Sequence, residues 1–501
     1  MSVAGIALTG QVGVQRPELT AAVVEALSGG GRFAGLLGAP RGDGSFELQA
    51  VIATTSGFST IATRLPAGEL AYPSLSLAVP AASWYERELH DRYGVEPVGH
   101  PRLDPLVLPL PDGDVRPALQ PDPLRPATPD PGALEAHASG EGMFTIPYGP
   151  VRSGVFEAVE YLVETFGEDI PRLRTRVHHK HRAVDVRFLA LDPDDGVLLA
   201  ERVEGTASVA HAIGYCRALE ELGSTPVPAA AELVRVVHAE LERIVNHLES
   251  MIRHTEGSYQ AVANARLALH KERLMRLRAE LCGNRFGRNV VVPGGVSGPL
   301  RVAPGDARRE LERIGDALAG DTAALMATPS FLDRLRGAGV LPPEAVVDHG
   351  ALGPVGRGSG LADDTRSSRP YGAYPDLGFR SAGARAGGDA LARQAVRSEE
   401  LEESFRLAGE ALEELAHERR PLWREGRGPL PDGAALVAVE APQGELLYLV
   451  EVAGGRLDRV KPRPAAFHNF ALFPRAFRGD IFTDFVFIEA SFGLSIAGVA
   501  G

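Results

Sequence analysis

The chain has 501 residues and a net charge of −13, with 44% hydrophobic residues. This length predicts about three domains, or two if one of them is large. The acidic balance argues against nucleic acid as a partner. The two cysteines, Cys216 and Cys282, are too few for a disulfide framework, a four-thiolate iron–sulfur cluster or a Cys-rich zinc site within this chain.

The N-terminal residues 1–112 are predicted to form a small α+β domain. Short β-rich runs between residues 32 and 79, ending in LSLAVP, flank an Ala-rich helix at Thr20–Leu27. A second helix at Ser83–Val95 closes the domain, since its apolar residues recur near helical spacing. Ten prolines between Pro101 and Pro131 exclude a helix or a central strand there, which predicts an extended linker over residues 113–140.

Residues 141–501 are predicted to form a large, mainly helical domain with small β elements, so the fold class is α+β. Apolar spacing predicts five long helices and alternation predicts one hairpin. These elements are Ser208–Leu222, Ala229–His254, Ala261–Cys282, Asp306–Ala327, Arg397–Glu418 and the hairpin Leu436–Val452. Residues 350–396 are rich in Gly, Ser and Arg and poorly periodic, which predicts a long functional loop that becomes ordered against a partner.

The absence of a recognisable targeting signal predicts a cytoplasmic protein. The N-terminus lacks a basic start followed by a long apolar core, so it is not typical of a signal peptide. No run of about 18 uncharged apolar residues occurs, which excludes a membrane-spanning helix.

Residue patterns alone identify no cofactor site. Three imidazoles in HHKH, His178–His181, could bind a metal, but no Cys or carboxylate stands at ligand spacing and a polar turn is favoured. His238 and Glu242 share one face of a predicted helix without forming HExxH, so a role in interhelical hydrogen bonding is favoured. No phosphate-binding glycine motif is found.

Two segments resemble the large subunit of energy-converting, group 4 [NiFe] hydrogenases and the homologous forty-nine-kilodalton subunit of respiratory complex I. They are AERVEGTASVAHAIGYCRALEELG at 200–223 and HAELERIVNHL at 238–248. In hydrogenases the first segment reads RxCGxCxxAH, whose matching residues here are Arg202, Glu204, Gly205, Ala207, Ala210 and His211. Both thiolate positions therefore carry other residues, Glu204 and Ala207.

The resemblance continues to the C-terminus through GPVGRGSGLADDTR, VEAPQGEL, RPAAFHNF and GDIFTDFVFIEASFG. The second ligand pair of the family, in a DPCxxC pattern, falls on Ser491 and Leu494, with Glu489 in place of Asp. Gln443 stands where the EAPRGE motif has Arg. The resemblance thus implies a hydrogenase-related chain without its nickel and iron ligands, and we expect no metal in this chain.

The N-terminal domain resembles the thirty-kilodalton subunit of complex I, the other soluble subunit of its quinone module. The segment WYERELHDRYGVEPVGHPRLDPLVLP, residues 84–109, is similar to the WxEREIYDxFGxxFxGHPDLRRxL signature of that subunit. The resemblance therefore implies that these two complex I subunits are fused in one chain.

Complex I members bind a quinone where hydrogenases hold nickel, through a His in a GPQHPxxHG loop and a Tyr in RxDY. This chain has Arg152 and Ser153 in the loop, and Gly205 at the Tyr position. Neither side chain expected to hydrogen-bond a quinone headgroup is present.

The remaining candidates for a site are acidic and cationic side chains of the former metal cavity: Arg202, Glu204, His211, Glu242, His247 and Glu489. In family geometry Glu204 and Glu489 face each other across one cavity. They would then share a proton near neutrality. The alternative is that Arg202 or Arg478 neutralises them and they only fill the former site.

The resemblance implies a peripheral subunit on the inner face of the cell membrane. Its expected partners are a small iron–sulfur subunit of the twenty-kilodalton type and membrane-embedded complex I-like and antiporter-like subunits. In one hypothesis the complex is an oxidoreductase that passes electrons, from NAD(P)H for example, through a partner's cluster to a quinone or similar acceptor and couples this to ion translocation. In the other, the chain is a non-catalytic scaffold or conformational coupler, and whether it is an enzyme stays open.

Overall fold

The computed structural model describes residues 8–55, 57–107, 142–152, 157–418 and 422–501. The helices are α1 (Leu19–Ser28), α2 (Ser83–Tyr93), α3 (Val184–Arg187), α4 (Pro193–Ala200), α5 (Ser208–Leu222), α6 (Ala229–Gly257), α7 (Ala261–Cys282), α8 (Pro304–Met326), α9 (Pro329–Leu335), α10 (Pro343–His349), α11 (Gly353–Arg357), α12 (Thr365–Ser368), α13 (Ala390–His417), α14 (Ala465–Phe470), α15 (Phe485–Phe492) and α16 (Ile496–Ala500). The strands are β1 (Leu8–Gly13), β2 (Arg32–Pro40), β3 (Phe46–Thr54), β4 (Gly57–Leu65), β5 (Ala71–Pro73), β6 (Glu96–Val98), β7 (Phe144–Tyr148), β8 (Glu160–Thr165), β9 (Arg172–Arg176), β10 (Val291–Val292), β11 (Gly295–Val296), β12 (Gly433–Ala441), β13 (Gly444–Ala453) and β14 (Arg456–Arg463). The predicted α+β class is confirmed, and the predicted linker 113–140 lies outside the described residues.

The N-terminal domain is built on a four-stranded sheet in the order β1-β4-β3-β2. Strand β1 runs parallel to β4, and the other pairs are antiparallel. Helix α1 covers one face through Leu19 and Val23, which are fully buried. The run LSLAVP, residues 75–80, is predicted as β-rich but forms turns that lead into a 3-10 helix at Pro80–Ala82. Leu75 and Val79 are nevertheless buried, because an apolar turn can pack as well as a strand.

Helix α2 carries the signature of the N-terminal domain, and its charged residues organise the neighbouring loops. The fully buried Glu86 carboxylate accepts hydrogen bonds from Tyr72 OH at 2.9 Å and from the Leu75 backbone N–H at 2.8 Å. Asp91 accepts the backbone N–H groups of Leu106 and Val107 at 2.7 and 2.9 Å. This part of the signature therefore specifies local structure.

The two domains share a buried apolar layer. Side chains from β2, β3 and β4 meet side chains from the β12–β13 hairpin in one cluster: Ala34, Leu37, Val51, Ala53, Phe58, Leu436, Ala438, Leu447 and Leu449. Arg32 of β2 also donates to Glu445 of β13 at 2.7 Å. Because an unpaired sheet face would expose this apolar layer to water, the two domains bury it jointly.

Four long helices and the three-stranded sheet β12-β13-β14 form the centre of the second domain, and a second three-stranded sheet has the order β7-β8-β9. Helix α6 packs against α13 and α7, and α13 packs against α8. Helix α5 lies on the antiparallel sheet β12-β13-β14. The predicted α5 and α7 boundaries are confirmed, whereas α13 begins at Ala390, seven residues before its predicted start at Arg397. Asp389 explains the earlier start, because its side chain accepts the Ala392 N–H and caps the helix.

The prediction of a long loop at residues 350–396 is confirmed between α12 and α13, where residues 369–389 form neither helix nor strand, and its ordering against a partner stays a prediction. The segment contains α11, α12 and the first turns of α13. Arg357 and Arg366 are 0% and 2% exposed within this chain. Arg357 pairs with Glu400 at 2.6 Å and with Glu440 at 3.1 Å. The arginine charges of this segment are therefore neutralised inside the subunit, which the spacing of apolar residues could not reveal.

Within the described part of the chain, no helix combines the length and apolar character needed to cross a membrane.

Candidate functional site

Glu204 lies in the turn between α4 and α5 and is 1% exposed. Its Oε1 accepts hydrogen bonds from Gln443 Nε2 at 2.9 Å and from Thr206 Oγ1 at 3.2 Å. Its Oε2 lies 3.3 Å from His211 Nε2, and His211 Nδ1 lies 2.7 Å from Tyr448 OH. We call Gln443, Glu204, His211 and Tyr448 the Glu204 row. It joins the start of α5 to the β12–β13 hairpin through buried side chains.

The Glu204 row has a defined direction of donation at its Tyr448 end. Burial raises the pKa of Tyr448 well above 10, so its hydroxyl stays protonated and can donate to Nδ1 of His211. Nε2 of His211 then carries the hydrogen and donates to Glu204. The row is therefore a continuous chain of hydrogen bonds from the Tyr448 hydroxyl to the Glu204 carboxylate.

Helix α16 covers the Glu204 row at close range. A Cβ atom on Gly498 would lie 2.8 Å from Glu204 Oε2, closer than real Cβ contacts come. Glycine at this position therefore lets the helix approach the carboxylate.

Arg202 does not neutralise Glu204. Its side chain is 48% exposed, and its guanidinium contacts Glu201 at 3.6 Å and the carbonyl of Leu198. The predicted pairing of these two residues is wrong, because the turn directs the arginine outward while the glutamate points inward. Of the predicted candidates, the turn therefore brings together Glu204 and His211 but not Arg202.

Glu242 of α6 holds the other side of the first turn of α5. Its carboxylate accepts the backbone N–H groups of Val209 and Ala210 at 2.8 and 3.0 Å. Arg278 of α7 lies 3.8 Å away. Burial raises the pKa of Glu242 to about 7, a shift that Glu204 increases and that Arg278 and the two N–H groups reduce.

Glu489 of α15 is part of a different group. Arg152 donates two hydrogen bonds to its carboxylate, at 2.7 and 3.0 Å, and Tyr161 OH donates one at 2.9 Å. The guanidinium also lies 5.0 Å from the ring centres of Tyr148 and Tyr161. Neither Glu204 nor its partners contact this group among the described residues. The predicted sharing of a proton between Glu204 and Glu489 is therefore wrong, and Arg152, not Arg202 or Arg478, supplies the neutralising charge.

The four former ligand positions do not fit a nickel–iron centre. Ala207 offers no donor atom, and Leu494 offers none in its side chain. Ser491 Oγ donates to the Ile488 carbonyl at 2.8 Å and accepts from Arg393 Nε at 2.9 Å. Within the described residues, no group of three or more His, Cys, Asp or Glu could hold a metal ion. The chemistry of these side chains therefore excludes a thiolate-held centre at this place.

The positions expected to bind a quinone headgroup do not fit one either. Arg152 stands in place of the loop His, and both its terminal nitrogens are bound to Glu489. Gly205 stands in place of the Tyr and has open space beside it, with no atom within 4 Å of a built Cβ. Ser153 lies outside the described residues.

The remaining sequence candidates serve structural roles. His178, His179 and Lys180 form a 3-10 turn, as the polar-turn interpretation predicted. His247 Nε2 lies 2.7 Å from Glu400 Oε2, so it belongs to the ion network of α13.

Tyr448, Tyr161 and Arg393 complete these groups, and sequence reasoning missed all three. Tyr448 sits in the alternating hairpin pattern, which marks it only as a buried strand residue. Arg393 and Tyr161 reach their partners across 98 and 328 positions of the chain, so no local signal identifies them. The contacts depend on tertiary packing alone.

Comparison with known proteins identifies the family. The family model of the respiratory-chain NADH dehydrogenase 49 Kd subunit matches residues 263–426 and 423–500, and that of the 30 Kd subunit matches residues 16–131.

The membrane-bound hydrogenase subunit alpha of Pyrococcus furiosus is 31% identical over 367 residues, which cover 69% of this chain and 84% of the relative. Formate hydrogenlyase subunit 5 of Escherichia coli is 28% identical, covering 86% of this chain and 77% of the relative. NADH-quinone oxidoreductase subunit 4 of Thermus thermophilus is 28% identical, covering 70% and 92%. The chain therefore belongs to the family of group 4 hydrogenase and complex I subunits, with the 30 kDa and 49 kDa domains of complex I fused in one polypeptide.

Proposed function

We propose that this chain is a peripheral subunit, on the inner face of the cell membrane, of a complex I-like oxidoreductase that couples electron transfer to ion translocation without activating hydrogen. Electrons reach the complex from a donor such as NAD(P)H and pass through an iron–sulfur cluster on a small partner of the twenty-kilodalton type to a quinone or a similar acceptor. The membrane-embedded complex I-like and antiporter-like subunits move the ion. This chain binds no redox metal of its own.

The observation that supports this proposal is the composition of the Glu204 row. At the first former thiolate position stands a buried carboxylate, 3.3 Å from an imidazole and covered by α16. A carboxylate and an imidazole in contact can take up and release a proton when a nearby charge changes. Such a pair could respond to the redox state of a partner's cluster, whereas it cannot bind nickel through sulfur.

A scaffold role is the second candidate function, and the Glu489 group favours it. There the carboxylate is bound by Arg152 and Tyr161, so this half of the former site is filled by an ion pair. If Glu204 likewise only fills the former metal site, the chain has a purely structural role and docks the cluster-bearing subunit on the membrane subunits.

The variant Glu204→Gln separates the two functions. The complex would be isolated from native membranes through a tag on this chain, and donor oxidation and ion translocation in inverted vesicles would be measured. We expect normal assembly with loss of translocation, because Gln keeps the shape and the Gln443 contact but cannot titrate.

The matched control is Glu249→Gln, which removes a carboxylate that is one third exposed and bound to Lys271. This variant should translocate normally. Wild-type turnover and translocation in Glu204→Gln would reject the coupling role and leave the scaffold. One nickel per chain in the purified complex would reject the proposal that hydrogen activation is lost.

A further inference from the structure

His238, on the same face of α6 as Glu242, is fully buried without a hydrogen-bond partner. It is 0% exposed, and neither Nδ1 nor Nε2 has a partner among the described residues. A neutral imidazole carries one donor and one acceptor, and burying both without partners is unfavourable. Burial, reinforced by the charge of Arg278, lowers the pKa of His238 to about 3, so protonation does not resolve the deficit.

Arg278 of α7 has the same deficit beside His238. It is 3% exposed, and its Nε and Nη2 atoms have no hydrogen-bond partner among the described residues. Its nearest carboxylate oxygen, Glu242 Oε2, lies 3.8 Å from Nη2, beyond hydrogen-bond distance. A polar gap of this size is commonly bridged by a water molecule.

The backbone makes room for this arginine. Gly287 has φ +67°, and a Cβ there would lie 2.7 Å from Arg278 Nη2 and 2.8 Å from a methyl group of Val209. A side chain at position 287 would therefore clash with the guanidinium and with Val209 of α5. The loop after α7 that contains Gly287 reaches the protein surface at the preceding residue, since Phe286 is 40% exposed.

We propose that His238 and Arg278 line an internal hydration site between α6 and α7, and that Glu242 exchanges its proton with solvent through the water bound there. The proton leaves an oxygen of Glu242 for a bound water and moves outward past the loop that contains Gly287. The carboxylate left behind is stabilised by the N–H groups of Val209 and Ala210 and by the charge of Arg278. Arg278 and Glu204 are the charged groups that act on Glu242, and His238 precedes it by one turn on α6.

This inference extends the proposed function, because Glu242 and the Glu204 row lie on either side of the first turn of α5. Glu204 raises the pKa of Glu242, so a change of charge at one carboxyl alters the proton affinity of the other. The hydration site would then be the outlet for protons that the Glu204 row displaces. Its existence can nevertheless be tested without turnover.

The test is infrared spectroscopy of the full chain, in its complex, through the C=O stretch of protonated carboxyl groups. We expect a band that titrates near pH 7, disappears in Glu242→Gln and shifts promptly on transfer to D2O. Glu440 should contribute a second C=O band in the same pH range, because burial raises its pKa to about 7 as well. The variant Glu440→Gln identifies that band by removing it. His238→Phe keeps the ring and removes both polar atoms, so exchange of the Glu242 band should slow by about tenfold or more, to the rate of local opening.

Two results would overturn the inference. One is a Glu242 band that exchanges in wild type only when the surrounding helices open, and the other is exchange in His238→Phe at the wild-type rate. If a variant does not fold, the wild-type complex at high resolution decides instead: we expect water density within hydrogen-bond distance of His238, and contact of both its nitrogens with carbon alone would reject the site. Slowed exchange with unchanged ion translocation in His238→Phe would retain the hydration site and reject its role as the outlet for protons from the Glu204 row.

Discussion

The two halves of the former metal site received the same kind of residue but acquired different electrostatics. At the N-terminal half, Glu204 is bound by a neutral amide, a hydroxyl and an imidazole. At the C-terminal half, Glu489 is bound by a guanidinium and a phenol. The first carboxylate has no permanent cation in contact with it among the described residues, whereas the second has one that holds it through two bonds.

The difference shows that the partner, more than the residue itself, decides whether a carboxylate in this cavity can act in proton transfer. A bidentate arginine pair stays charged over the physiological range and mainly fixes structure. A carboxylate among neutral partners can gain or lose a proton at moderate cost. The N-terminal half is therefore the part of the molecule where chemistry is expected.

The largest expected effect is a pH dependence of stability to which Glu242, beside the N-terminal half, contributes. The pKa of Glu242 rises from its ordinary value of 4.5 to about 7 on folding, so the folded chain binds more protons than the unfolded chain between these values. The stabilisation is complete below pH 4.5 and is lost as the pH rises through 7, by about 3 kcal/mol. Glu242→Gln should reduce this slope in denaturant unfolding between pH 5 and 8, leaving the part due to Glu440, whose pKa burial also raises to about 7, and equal slopes in both proteins would contradict the assignment.

Breaking the C-terminal half should cost somewhat less. Arg152→Ala leaves Glu489 with Tyr161 alone and should lower the free energy of unfolding by about 2 to 3 kcal/mol, below the full value for a wholly buried pair because 24% of the Glu489 side chain is exposed. The double variant Arg152→Ala/Glu489→Gln should recover much of this loss. Additive losses in a double-mutant cycle would show that the pair is not coupled.

Replacing Glu204 by an apolar residue should destabilise the chain. Glu204→Leu leaves His211 Nε2 without its acceptor and Gln443 Nε2 with Thr206 Oγ1 alone, which should cost about 1 to 3 kcal/mol. Glu204→Gln should cost less, because it retains an acceptor oxygen. If Leu proves as stable as wild type in thermal unfolding, the row contributes no net hydrogen-bond energy and the scaffold function gains support.

The smallest expected effect concerns the cover of the Glu204 row. Gly498→Ala places a Cβ 2.8 Å from Glu204 Oε2, so the carboxylate must shift, at a cost of about 1 kcal/mol. Combining it with Glu204→Ala should remove that cost, because the clashing oxygens are gone. Unfolding measurements on the single and double variants would show non-additivity, and strict additivity would place α16 farther from the carboxylate.

Local sequence patterns were sufficient for the long helices of the second domain. The spacing of apolar residues located α5 and α7 at their observed ends, because amphipathic burial repeats with the helical period. The same patterns placed residues 350–396 in a loop, since that segment buries arginines instead of apolar side chains. Periodicity reports where apolar side chains recur and does not report that Arg357 finds Glu400 and Glu440.

The sequence by itself determined that the four thiolate positions carry Glu204, Ala207, Ser491 and Leu494, and hence that no thiolate centre can form there. Only the tertiary structure decided what replaced it. Arg152 and Glu489 are 337 positions apart, and Arg202, the nearby candidate in sequence, points to the surface. The physical reason is that an ion pair acts over a few ångströms, so the neighbour that sets the charge state of a buried carboxylate is chosen by packing and not by proximity along the chain.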